Sequence, residues 1–232
     1  IQISHLKKLK INSNYLTELE EMAIKARGFL DYIVRKEYED LATEVKEKKR
    51  SWEDNNLNAN LIHYYYCKSL FSDWNNDPKL KSVDNYYLGQ MENFWLKFSL
   101  YEQGLTSVIA HRNSKENLAQ LILKSLKQRS IYSEELGRYW KNSWSYYWTQ
   151  MPIETQALMI ELFSEVAREP KTVDELKTWL LKNKQTQHWG TTKATSEAVF
   201  AMLAFGDNYT EENLPVRIEL GNQLLDLKSH QA

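Results

Sequence analysis

The chain has 232 residues with 30 basic and 31 acidic side chains, a formal charge of −1, and only 7 Gly and 4 Pro. Near-neutrality removes the long-range field on which nucleic-acid binders and binders of anionic membranes rely. The scarcity of Gly and Pro marks a helical composition, and 42% hydrophobic residues with 8 Trp, 14 Tyr and 7 Phe exclude intrinsic disorder.

A single cysteine, Cys67, permits no internal disulfide, and no spaced Cys/His set for zinc exists, so no metal and no cofactor is expected. The longest near-uniform apolar run, 198–205, is far shorter than the 18 or so residues of a membrane span, so no direct membrane contact is expected of this segment. The chain opens at Ile1 rather than Met and carries no signal peptide. That pattern points to a piece cut from a larger parent.

Apolar residues recur at helical spacing, and helices with one apolar stripe alternate with helices apolar nearly all round. Residues 15–46 and then 61–71 make the first such pair, and 85–97 followed by 100–111 make the second. In the third, Leu118, Leu121, Ile122, Ser125 and Leu126 form one stripe opposite Lys124, Lys127 and Gln128, with Ser114 as the expected N-cap. Pro152 then opens a helix whose Ile153, Ala157, Leu158, Ile160, Leu162, Phe163 and Val166 cover most of the circumference, leaving the edge of Glu154, Glu161 and Glu165 polar. Pro170 is expected to close it.

The fourth pair begins at Thr172, which with Glu175 reads as a capping box, and places Leu176, Trp179 and Leu180 opposite Lys177 and Lys182. Residues 192–205, with Glu197 as their one acid, look the most buried of all. Gln103-Gly104-Leu105, Gln156-Ala157-Leu158 and Glu197-Ala198-Val199 align as a degenerate repeat. A small residue at one depth lets neighbouring inner helices approach closely. Finally Val216, Ile218 and Leu220 alternate with polar residues before Gly221-Asn222, then Leu225 and Leu227, which reads as a β-hairpin. The fold class expected is all-α: four outer–inner helical hairpins of an α/α toroid over residues 1–209, with 210–232 starting a following β domain.

Candidate chemistry is sparse. Glu154, Glu161 and Glu197 could serve as paired carboxylates for hydrolysis, although a first-turn Glu also simply suits a helix N-terminus. Trp140, Trp144, Tyr146, Tyr147 and Trp148 could form a platform for a sugar or isoprenoid, or could roof the core. Cys67 and His63 stand four apart and could share a helix face, against the plainer reading of a buried inert thiol. No phosphate loop, metal spacing or nucleophile elbow is present.

Residues 180–203, with Trp189-Gly190 and the Thr-rich start Thr191-Thr192, resemble the last hairpin of the thioester-containing helical domain of alpha-2-macroglobulin family proteins, most closely the bacterial Bacteroidetes type. Residues 152–158 and the stretch from Leu61-Ile62-His63 to Phe71 resemble earlier inner helices of that domain. The resemblance implies a toroid of six hairpins followed by β-sandwich material, and hence that Ile1 falls inside the toroid. The family's Cys-x-Glu-Gln thioester has no match here, since Lys-Ser-Leu follows Cys67, so any thioester of the parent would lie upstream of Ile1.

The resemblance further implies a non-catalytic module of a protease-trapping protein, located in the periplasm or cell envelope through its parent. Its partners would be proteases, met through the full-length parent, and other domains of the same parent chain, with no nucleic acid. It also implies that His63 occupies the position from which complement relatives pass an acyl group to a hydroxyl. An α/α-toroid enzyme acting on polysaccharide or isoprenoid, and a purely structural envelope scaffold, are the alternatives. Convergent carboxylates in an open cleft would favour the enzyme.

Overall fold

In a computed structural model the chain is mostly helical, and the structure describes residues 1–10, 16–71, 74, 78–141, 152–186, 189–205, 218–220 and 223–225. The described helices are α1 (Gln2–Lys8), α2 (Leu16–Lys46), α3 (Ala59–Ser69), α4 (Lys81–Phe94), α5 (Leu100–Arg112), α6 (Glu116–Gln128), α7 (Pro152–Leu162), α8 (Pro170–Thr186) and α9 (Thr192–Ala204). Strands β1 (Ile131–Ser133) and β2 (Gly137–Tyr139) pair antiparallel between α6 and α7, and β3 (Ile218–Leu220) pairs antiparallel with β4 (Gln223–Leu225). The second pair is the hairpin expected around Gly221-Asn222, whose turn residues, like Val216 and Leu227, lie outside the described residues. Among the described residues no helix is long and apolar enough to cross a membrane.

The alternation of striped and all-round apolar helices becomes a packing order. Helix α3 packs on α5, α5 on α7 and α7 on α9, while α1 lies against both α9 and α2. Helix α6 covers α5, and α8 covers α7 and β2. Helix α5 buries nine of its residues between Tyr101 and Ala110, and α7 buries every residue from Ile153 to Leu162. In contrast α6 buries one stripe, Leu118, Ala119, Ile122, Leu123 and Leu126, and exposes Leu121 on the far side. Burying an aliphatic side chain of this kind stabilises by about 1.5–3 kcal/mol, so the inner helices hold most of the core.

Close approach of the inner helices rests on the small residues of the repeat. A methyl group added to Gly104 would stand 3.0 Å from Leu158 Cδ2 and 3.2 Å from Met159 Cε, so α5 and α7 can meet here only because Gly104 has no side chain. Ala157 and Ala198 at the corresponding positions are buried as well.

The helix starts follow side-chain capping in three places. Asn58 Oδ1 accepts from Leu61 N at 2.9 Å, Ser99 and Glu102 form a reciprocal capping box, and Thr191 Oγ1 accepts from Ala194 N at 3.0 Å.

Other expectations are corrected. Ser114 does not cap α6: it adopts a left-handed φ of 60° in the turn leaving α5, and Lys115 precedes α6 without a side-chain cap. The box expected at Thr172 is absent because α8 begins two residues earlier, at Pro170, which therefore opens α8 instead of closing α7. Thr172 Oγ1 instead donates to Glu169 Oε2 at 2.7 Å, and Glu175 accepts from Arg138 Nε at 2.8 Å. What ends α7 is a π-helical turn over Phe163–Ala167 followed by Arg168 at φ 54°.

Two burial expectations also fail. Lys177 is buried and donates to the Met202 carbonyl at 3.1 Å, tying α8 to the end of α9. Helix α9 is less covered than its composition suggests, since Val199 and Leu203 are 44% and 42% exposed. The hairpin β1–β2 was not expected at all. It presses on α8 so closely that a Cβ on Gly137, at φ 77°, would collide with the Glu175 carbonyl oxygen.

Candidate functional site

The inner helices bring their N-terminal turns to one cavity of about 160 Å³, walled by His63 and Tyr66 of α3, Tyr101 of α5, Glu154, Ala157, Leu158 and Glu161 of α7, and Lys193, Glu197 and Phe200 of α9, with Ile1 beside them. The three carboxylates singled out by sequence thus share one space, and His63 stands in it with them. Their environments differ.

Glu161 is matched. Tyr66 Oη donates to its Oε2 at 2.7 Å, and Arg112 Nη2 donates to its Oε1 at 2.6 Å. Arg112 extends from the last turn of α5 and also forks onto Glu165, with Nε to Oε1 and Nη2 to Oε2 both at 2.7 Å. Burial opposes the Arg112 charge, but Glu165 and Glu161 outweigh it and fix the guanidinium as a cation. Glu165 in turn is held below the usual carboxylate range by Arg112 despite its burial.

Glu154 is the opposite case. It is buried, and neither carboxylate oxygen has a hydrogen-bond partner among the described residues. Burial raises its pKa, with Lys193 acting against the rise. Glu197 is raised by burial too, and by Glu161 and Glu154, while the Lys193 and Ile1 ammonium groups oppose. His63 stacks on Tyr101 with ring centroids 5.5 Å apart and planes at 29°. Its Nε2 is buried without a partner, and burial, then the Lys193 charge, lowers its pKa, so the ring is neutral at physiological pH.

Cys67, four residues on, is half-buried with its thiol pushed up by burial, which disfavours the thiolate that a nucleophile needs. Of the aromatic group, Trp140 roofs the core. Its Nε1 donates to the Leu126 carbonyl at 2.8 Å, and its ring meets Phe163 at 6.1 Å. Trp144, Tyr146, Tyr147 and Trp148 lie outside the described residues. Among the described residues no group of three or more His, Cys, Asp or Glu side chains could hold a metal ion.

Sequence reasoning missed Tyr66, Tyr101, Arg112 and Lys193. A signal existed for two of them: Tyr101 and Lys193 each stand two residues past the N-cap of an inner helix, Ser99 and Thr191. Comparison with protein-family models, with curated proteins and with solved structures gives no match.

Proposed function

We propose that the chain is a non-catalytic module of a bacterial alpha-2-macroglobulin-like protease inhibitor, built as part of an α/α toroid and acting in the cell envelope through its parent. The observation that carries the reading is the packing order α3–α5–α7–α9 of the buried helices, each preceded in sequence by an outer partner. The residues on which the resemblance rests support it locally. Trp189 is buried, Thr191 caps α9 through its side chain, and a β-hairpin follows.

A toroid enzyme is favoured by one observation, the convergence of Glu154, Glu161 and Glu197. Size and pairing weigh against it. Ligand sites typically offer about 300–1,000 Å³, whereas this cavity has about 160 Å³ and its Glu161 is engaged by Arg112 and Tyr66. A saccharide ring flanked by two working carboxylates has no room.

Within the inhibitor reading His63 remains the candidate acyl acceptor. An acceptor imidazole must be neutral with a free ring nitrogen, and the lowered pKa and unbonded Nε2 meet that requirement.

The test uses the full-length parent mixed with a broad-specificity protease. Trapping leaves cleavage of a small peptide substrate intact while cleavage of a large protein falls, and removing residues 1–205 is expected to abolish that difference. Retention of trapping by the deleted parent would overturn the proposal. If the parent carries a thioester, His63→Ala is expected to shift covalent capture from hydroxyl toward amine nucleophiles. An unchanged preference removes the role of His63.

A further inference from the structure

We infer that the cavity between the N-terminal turns of α3, α5, α7 and α9 is a binding site for a primary alkylammonium group, read by the Glu154 carboxylate. The inference is independent of the inhibitor reading, because it rests on the cavity alone.

A carboxylate offers about four acceptor positions, and Glu154 fills none of them with a hydrogen bond among the described residues while lying 2% exposed. Buried polar groups are nearly always partnered, so a buried carboxylate with both oxygens open requires donors that come from outside the chain. His63 Nε2, on the facing helix α3, is a second buried atom without a partner at the same cavity. A neutral imidazole nitrogen of this kind can accept a further donor.

Three properties narrow the ligand. Its charge cannot be negative, since Glu154, Glu161 and Glu197 all face the space. Lys193 and the Ile1 ammonium are the cationic neighbours of Glu197, whereas Lys193 is the one named as countering charge at Glu154, and burial still prevails there. A second ammonium at Glu154 is therefore attracted. Its bulk is small, because about 160 Å³ equals the share of roughly five water molecules at about 30 Å³ each. Its body is apolar or polarisable, because Tyr66, Tyr101, Phe200, Ala157 and Leu158 supply the remaining walls, and ring faces attract cations. An ammonium with three N–H donors on a short alkyl stem satisfies all three. It can arrive as a free amine or as the end of a lysine side chain.

The experiment titrates the protein with ethylammonium, with the neutral isostere ethanol and with acetate. It follows heat and the His63 ring resonances by NMR. Saturable ethylammonium binding with a dissociation constant of about millimolar, the range open to a three-atom ligand, is expected together with a shift of the His63 resonances. Ethanol and acetate should give neither. A parallel arm uses Nα-acetyl-lysine amide: binding there assigns the site to lysine side chains as well, and its absence restricts the site to free amines. Glu154→Gln keeps the shape and removes the charge, and should weaken binding by about tenfold or more. Glu92→Gln, on the surface, should not. Equal responses to ethylammonium and ethanol, or a linear response with no saturation, overturn the inference from the wild-type chain alone, whether or not the Gln variant folds.

Discussion

Arg112 Nη2 lies 2.6 Å from Glu161 Oε1, joining the last turn of α5 to the middle of α7 across the floor of the cavity. The same guanidinium holds Glu165 and reaches Ser69 Oγ at 3.3 Å, so one side chain ties α3, α5 and α7 together. Removing one member of a buried, hydrogen-bonded pair leaves the other charge uncompensated and costs about 3–5 kcal/mol.

Arg112→Met is therefore expected to destabilise the chain by about 3 kcal/mol or more in urea denaturation. Adding Glu161→Gln and Glu165→Gln to that variant should restore a large part of the loss, since no buried charge is then stranded. A triple variant no more stable than the single one contradicts this account of the cluster.

Two glycines separate close packing from backbone strain. Gly104→Ala pushes a methyl against the mobile ends of Leu158 and Met159, and gains about 1 kcal/mol of helix propensity in return, so a net loss of about 1 kcal/mol is expected. Gly137→Ala meets the Glu175 backbone carbonyl and a φ of 77°, neither of which can yield cheaply. A loss of about 3 kcal/mol or more is expected. Thermal denaturation of the two variants side by side checks the order, and a reversed order refutes it.

Turn chemistry gives a third pair. Thr191→Ala removes the α9 cap and should cost about 1 kcal/mol, whereas Ser114→Ala removes no cap and should cost a few tenths. Ser114→Gly should stabilise by about 1 kcal/mol, because glycine adopts the left-handed φ of 60° without the Cβ penalty. A destabilised glycine variant in chemical denaturation speaks against the assigned backbone conformation.

His5 makes the pH dependence legible. Its ring stacks on Phe200 with centroids 3.5 Å apart, and burial, followed by the Ile1 ammonium, Lys8 and Arg112, lowers its pKa from 6.5 to about 4. Between those values the unfolded chain binds the proton and the folded chain does not. Its contribution is present above pH 6.5 and is lost as pH falls toward 4, by up to about 3 kcal/mol. His5→Phe should flatten the melting temperature over that interval, and an undiminished slope would assign it to other groups.

Much of this architecture was written in periodicity. Gln103, Gly104 and Leu105 announced a tight inner contact, and Gly104 does meet Leu158. Pro152 opened its helix as its fixed φ dictates. What stayed hidden depends on tertiary partners. Lys177 reads as a solvent-facing residue until the end of α9 supplies the Met202 carbonyl that lets it be buried. Val199 and Leu203 read as core, and the described residues leave them exposed. The cavity shows the same division. Glu154 and His63 could be singled out as types in suggestive places, but whether each has a partner is decided by helices far away in sequence.

The π-helical turn at Phe163–Ala167 amounts to one extra residue in a helix that would otherwise run regularly into Arg168. An α-helix advances about 100° per residue, so deleting Ser164 would restore ordinary register and swing everything downstream by that angle while leaving Glu161 untouched. The Arg112 fork would keep one carboxylate and lose the other. The insertion thus acts as a rotational spacer: it lets a single helix present Glu161 and Glu165 to the same guanidinium while α8 still starts in the direction that covers α7.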